Sequence, residues 1–145
     1  MYQESEKVEL KECFVEKIKH EILAFLNSNG GVIYVGVKDN GEVLGIPNDK
    51  KDEYDSTISS WIRDCIFPNI NQYINFFYNQ DNVLVVQVKS GSNKPYYLTE
   101  KGPKPSGVYI RIGRSTRQAT QDEIIQMMID SRDYSYEKEF AENQN

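Results

Sequence analysis

The chain has 145 residues, 39% of them hydrophobic, with ten Tyr, six Phe and one Trp, enough for one domain with its own core. No apolar run approaches the roughly 18 residues that cross a bilayer, and residues 1–7 lack the apolar centre of a signal peptide, so the expected setting is the cytoplasm with no membrane partner. A formal net charge of −5 argues against indiscriminate attraction to polyanions.

Charge is unevenly distributed. Residues 89–121 hold seven basic side chains against Glu100 alone, while Glu4, Glu6, Glu9, Glu12 and Glu16 crowd the front and Asp133, Glu137, Glu139 and Glu142 the back. A basic middle between acidic flanks fits a localised polyanion site. Cys13 and Cys65 lie at apolar helical positions without a C-x-x-C pair and are expected to be buried, reduced thiols.

Taken in order, residues 1–10 read as extended. Phe14, Ile18, Ile22, Phe25 and Leu26 share one helical face, which predicts a helix over 12–27. Asn27-Ser28-Asn29-Gly30-Gly31 stops it. The apolar run 32–37 predicts a strand buried on both faces. Lys38-Asp39-Asn40-Gly41 is a turn, and 42–46 is expected to return as the second arm of a hairpin. Ile58, Trp61, Ile62, Cys65 and Ile66 form a helical stripe, which predicts a second helix over about 51–67, ended by Pro68. Residues 73–78 and 83–88 read as a hairpin, and 95–98 as a short edge strand. The Pro- and Lys-bearing loop 100–106 should be exposed. Residues 107–112 read as a strand with Val108, Ile110 and Ile112 inward and Tyr109 and Arg111 outward. A last helix is expected over 121–131. This order predicts an α+β fold with a mixed, mostly antiparallel sheet and about three helices. Residues 1–132 form the domain and 133–145 a polar tail.

The stretch Arg111-Ile112-Gly113-Arg114-Ser115-Thr116-Arg117 precedes a helix start at which Thr120 and Glu123 have capping-box spacing. Guanidinium groups, hydroxyls and a helix N-terminus together make a phosphate seat. The plainer alternative is a surface loop whose arginines pair with the chain's own carboxylates. The expected nucleic-acid-binding set is Lys89, Lys94, Lys101, Lys104, Arg111, Arg114, Ser115, Thr116 and Arg117. Tyr96, Tyr97 and Tyr109 either stack on unpaired bases or pack within strands.

Other chemistries lack their residues. There is no G-x-x-x-x-G-K-[ST] loop, so ATP is not an expected cofactor. His20 is the single histidine, which leaves no Ser-His-Asp triad and no zinc site. Carboxylates remain. Glu4, Glu9 and Asp39 can hold Mg²⁺ or Mn²⁺ if they converge. A spacing of five puts Glu4 and Glu9 on opposite faces of a strand, or about 140° apart on a helix, so convergence needs a bend at Ser5-Glu6-Lys7. Without it Glu4 and Glu9 are solvated and Asp39 is a turn former.

Three motif groups carry a resemblance. They are Glu4-Ser5-x-x-Val8-Glu9-Leu10-Lys11 with Ile22-Leu23-Ala24-Phe25-Leu26-Asn27-Ser28-Asn29-Gly30-Gly31; Gly36-Val37-Lys38-Asp39-Asn40-Gly41 with Gly45-Ile46; and Pro95-Tyr96-Tyr97 with Val108-Tyr109-Ile110-Arg111-Ile112-Gly113-Arg114-Ser115-Thr116, Ala119 and Glu123-Ile124. In order and spacing, over about residues 4–129, the chain resembles the Schlafen AlbA-like nucleic-acid-binding domain. The resemblance implies a nucleic-acid-binding module of the kind found at the N-terminus of bacterial transcriptional regulators. Animal Schlafens carry two such lobes that grip tRNA-like RNA, and some cut it with three acids; by motif these fall on Glu4, Glu9 and Asp39. A Schlafen-type endoribonuclease is therefore the alternative function, with Lys11 placed to stabilise charge on the attacked phosphate. This chain has one lobe and lacks the family's Cys/His zinc element. A homodimer would rebuild a two-lobed groove, with the Tyr96–Tyr97 edge as one candidate surface.

Overall fold

The apolar run after Gly30-Gly31 becomes the second strand of a four-stranded sheet. The computed structural model describes the backbone of residues 1–143 and the side chains of residues 1–132. The described residues form strands β1 (Val8–Lys11), β2 (Gly31–Val35), β3 (Ile66–Phe67), β4 (Ile74–Tyr78), β5 (Leu84–Val88), β6 (Tyr97–Leu98), β7 (Tyr109–Ile112) and β8 (Ser115–Gln118), and helices α1 (Ile18–Leu26), α2 (Lys51–Ser60) and α3 (Gln121–Asn143). The main sheet runs β1-β2-β5-β4; β3–β6 and β7–β8 are separate two-stranded ribbons. β1 and β2 are parallel across the α1 crossover, and the other pairings are antiparallel. This is the mixed, mostly antiparallel α+β fold with three helices that the element order implies.

The sheet buries both faces. On one, Ile18, Ile22, Phe25 and Leu26 of α1 pack with Ile33, Val35, Leu84 and Val86, and with Ile58, Trp61 and Ile62 from α2 and the π-helical turn Trp61–Cys65 that continues it. Each fully buried aliphatic or Phe side chain stabilises the fold by about 1.5–3 kcal/mol. On the other face, Leu10, Val37, Val83 and Val85 are buried, with Tyr2, Val8, Val32 and Tyr34 half-buried beside them. A smaller cluster of Val108, Ile110, Ala119 and Ile124 seats α3 on β7.

Several local expectations are corrected. Helix α1 begins at Ile18 rather than residue 12. Phe14 lies outside it and stacks on Tyr54 at 4.2 Å and Trp61 at 5.3 Å, so the helical spacing of Phe14 comes from packing against α2. Cys13 is exposed, because it precedes α1, and Cys65, at the end of the π-helical turn, is half-buried against the core. Residues 42–46 form a single bridge, Val37↔Val43, not a strand; the chain folds back so tightly that the amides of Leu44 and Gly45 both donate to Gly36 O, at 2.8 and 2.9 Å. Residues 115–118 pair as β8, where a loop was expected. Tyr96 is fully buried, so it forms no exposed edge for a second copy. The backbone of α3 continues past residue 131 because no Gly or Pro interrupts it. The side chains of the proposed tail, 133–145, lie outside the described residues. No described helix is long and apolar enough to cross a membrane.

Candidate functional site

Helix α1 carries a carboxylate within its apolar stripe. Glu21 is three residues after Ile18 and four before Phe25, so it must point into the core. It is 7% exposed, and Glu9 on β1 is 9% exposed. Two buried carboxylates need a buried cation, and Arg111 supplies it. Its Nη1 donates to Glu9 Oε1 at 2.7 Å, to Glu21 Oε2 at 3.2 Å and to Thr116 Oγ1 at 3.2 Å. Its Nη2 donates to the carbonyls of Ser5 at 2.9 Å and Val8 at 3.1 Å. The guanidinium also lies over the Phe25 ring at 5.0 Å. Thr116 Oγ1 donates to Glu21 Oε2 at 3.1 Å. Lys11 Nζ stands at 3.8 Å from Glu9 and 4.0 Å from Glu21.

Arg111 is thus turned inward, not outward. β7 has α1 on one side and α3 on the other, so Ile110 and Arg111 are both 6% exposed while Ile112 is 52% exposed. A strand covered on both faces does not alternate inside with outside.

The bend that Glu4 and Glu9 require is present. Ser5 and Val8 exchange backbone hydrogen bonds at 3.0 and 3.3 Å, turning the chain at Glu6-Lys7. Burial raises the Glu4 carboxyl above its ordinary value, the neighbouring charges of Glu9 and Asp39 add to this, and a hydrogen bond from the Leu10 amide opposes it. Burial likewise raises Glu9, against the hydrogen bond from Arg111. Glu4 therefore lies beside Glu9 across the bend, and Asp39, at the tip of the 38–41 turn, is near enough for its charge to act on Glu4. Glu9 already accepts from Arg111, however, and among the described residues no group of three or more His, Cys, Asp or Glu side chains is arranged to hold a metal ion. In this arrangement Arg111 already provides, at Glu9, the positive charge that a divalent cation would bring.

The remaining basic residues divide by partner. Arg117 makes a two-pronged pair with Glu123, at 2.9 Å on both oxygens, and donates to Gln118 O at 3.0 Å. Glu123 also accepts from the Thr120 amide at 2.8 Å, and the Glu123 amide donates to Thr120 Oγ1 at 3.2 Å, completing the capping box. These contacts, the Arg117 pair first, hold the Glu123 carboxyl down to about 2. Lys94 is half-buried, donates to Ser28 O at 3.0 Å, and has its ammonium pushed below the ordinary value by burial. Lys89, Lys101, Lys104, Arg114 and Ser115 are exposed. Among the described residues, Lys89, Lys101, Lys104 and Arg114 have no carboxylate within salt-bridge distance.

Sequence reasoning assigned no role to Glu21 and gave Asn27 only a helix-stop role. Asn27 is the joint of the molecule. Its Nδ2 donates to the carbonyls of Tyr96 and Tyr109, both at 2.9 Å, and its Oδ1 accepts from the Tyr96 amide at 2.7 Å. Next to it, Ser28 Oγ accepts from the Arg111 amide at 2.9 Å. Gly30 then turns the chain with φ of +76°, where a side chain would be strained. His20, the single histidine, stacks on Tyr109 at 4.1 Å, and burial lowers its pKa.

Comparison with known proteins places this architecture. The DIP2311 protein of Corynebacterium diphtheriae has a similar fold over 84% of this chain, with 16% identity and a TM-score of 0.51; the chain spans 23% of that protein's length. The N-terminal domain of a RecG-related protein from Nitrosomonas europaea aligns over 79% of this chain and 82% of its own, with 20% identity and a TM-score of 0.46. No curated protein matches. The family model Schlafen, AlbA_2 matches residues 4–120, from Glu4 through the Arg111 hairpin to Thr120. The chain belongs to the Schlafen AlbA_2 family.

Proposed function

We propose that this domain binds nucleic acid through exposed cations of its basic middle, in the manner of a regulator's binding module, without chemistry of its own. One observation carries the reading. In an acidic chain, Lys89, Lys101, Lys104 and Arg114 are exposed with no carboxylate partner among the described residues, so their charge is available to phosphate oxygens. Arg111 belongs to the interior, and Arg117 must leave Glu123 before it can take a phosphate. Contacts of this kind give affinity and steep salt dependence without sequence reading.

The second reading is a metal-dependent endoribonuclease. The bend at Glu6-Lys7, which brings Glu4 back beside Glu9, favours it; the hold of Arg111 on Glu9 opposes it. End-labelled structured RNA, incubated with and without Mn²⁺, separates the two. The binding reading expects a salt-sensitive shift with intact RNA, unchanged in Asp39→Asn. Mn²⁺-dependent cutting that Asp39→Asn abolishes would replace it with the nuclease. Asp39 is the right probe because it is exposed, whereas a change at Glu9 would also unpair Arg111.

A further inference from the structure

The three tyrosines of the basic region have separate fates. Tyr96 is fully buried, and Tyr109 is covered by the His20 ring. Tyr97 opens onto a cleft. In the β3–β6 ribbon Ile66 pairs with Leu98 and Phe67 with Tyr97. Ile66 and Leu98 are 3% and 5% exposed, which puts Phe67 and Tyr97 on the outer face, and Phe67 is 54% exposed. Their rings lie 5.7 Å apart, inclined at 50°. Phe67 faces water, while Tyr97 is half-buried against the Val108–Ile124 cluster and keeps one part of its ring open; together they leave apolar surface on a ribbon otherwise turned to the core.

Beside Tyr97 the surface sinks into a cleft of about 400 Å³, within the size range of small-ligand sites. Pro68, Pro95, Pro103 and Met128 give it flat apolar walls, and Lys94 and Arg132 give it positive charge; no carboxylate lines it. The loop that contributes Pro103 also carries exposed Lys101 and Lys104. Flat apolar walls under two cations match a ligand that is planar at one end and anionic at the other. A paired base hides its faces inside the duplex, so only an unpaired nucleotide presents both ends.

We infer that the cleft beside the β3–β6 ribbon takes an unpaired nucleotide of a single-stranded nucleic acid, its base against Tyr97, its phosphate toward Arg132 and Lys94, and the neighbouring base of the strand over Phe67 outside the cleft. This rests on the nucleic-acid-binding reading and names the class of strand that the domain prefers.

The test is fluorescence anisotropy with a labelled single strand, as RNA and as DNA, and with the duplex of the same sequence. Tyr97→Ala and Phe67→Ala should each weaken single-strand binding roughly 5- to 150-fold, the usual worth of one stacked base. Duplex binding should change less than about twofold, and Tyr97→Phe should retain single-strand affinity. A 2-aminopurine base in the strand should be quenched by the unaltered protein and less so by Tyr97→Ala. Arg132→Ala, outside the aromatic pair, carries the same prediction if Tyr97→Ala fails to fold. Equal single-strand affinity in the aromatic and Arg132 variants, with the unaltered protein binding normally, overturns the cleft and spares the binding reading. No binding of any strand by the unaltered protein overturns both. Loss of a dimer in sedimentation by Phe67→Ala, with strand binding unchanged, makes the patch a surface for a second copy and also overturns the inference.

Discussion

Arg111 and Arg117 stand six residues apart on one hairpin, and each pairs with glutamate, yet they do different work. The side chain of Arg111 is 2% exposed and bridges two carboxylates from two other elements. The side chain of Arg117 is 45% exposed and holds one carboxylate six residues away. The first ties β1, α1 and β7 together in a low-dielectric interior, where an unpaired charge is very costly. The second closes a helix start in water, where an ion pair contributes little. An arginine count therefore says nothing about phosphate binding until each guanidinium has been assigned a partner.

The comparison is broken most sharply at Arg111. Arg111→Ala leaves the buried Glu9 and Glu21 with only the more distant Lys11 and should lower stability by about 3–5 kcal/mol, read as a fall in the urea midpoint. A loss no larger than that of Arg117→Ala would mean that the network is not buried in solution. Asn27→Ala comes next. It orphans the Tyr96 and Tyr109 carbonyls and the Tyr96 amide, for an expected loss of about 1–3 kcal/mol, and amide exchange at Tyr96 should speed up. Arg117→Ala should shift the midpoint least.

Acid titration sharpens the contrast, because the two regions respond with opposite sign. Glu123 is held down to about 2 by Arg117, so its contribution is present above its ordinary value near 4.5 and is lost as pH falls through about 2. Glu4 and Glu9 are raised by burial, so folding takes up their protons and stability rises as pH falls from their raised values toward 4.5. Stability against pH in Arg117→Ala should lose the acid-side decline due to Glu123 and keep the opposite slope of the buried acids. A curve unchanged by Arg117→Ala would contradict the assignment of that decline.

The legible parts of the fold and site were short-range. The Thr120–Glu123 box, the Gly30 stop and the bend needed at Ser5–Lys7 all depend on neighbours within a few residues, and the structure contains each. Arg111 was misread because its orientation depends on what lies across β7, where α1 and α3 cover both faces. One signal was available: Glu21, a carboxylate inside the Ile18–Phe25 stripe, requires a buried cation, and a basic residue on a strand is a natural source. The three bonds of Asn27 reach 69 and 82 residues along the chain, and nothing local announces them. The return 42–46 failed as a strand because Leu44 and Gly45 both donate to Gly36 O and Ile46 then turns to Asn82 O, so no regular ladder continues past Val43.

The most direct test of the account is a salt titration of RNA binding, comparing the unaltered protein with Arg114→Ala. The account predicts log K falling linearly with log salt, and an Arg114→Ala slope shallower by about 0.7–0.9 at unchanged stability, the share of one phosphate contact. An identical slope in the two proteins, or no binding at the lowest salt, would contradict it.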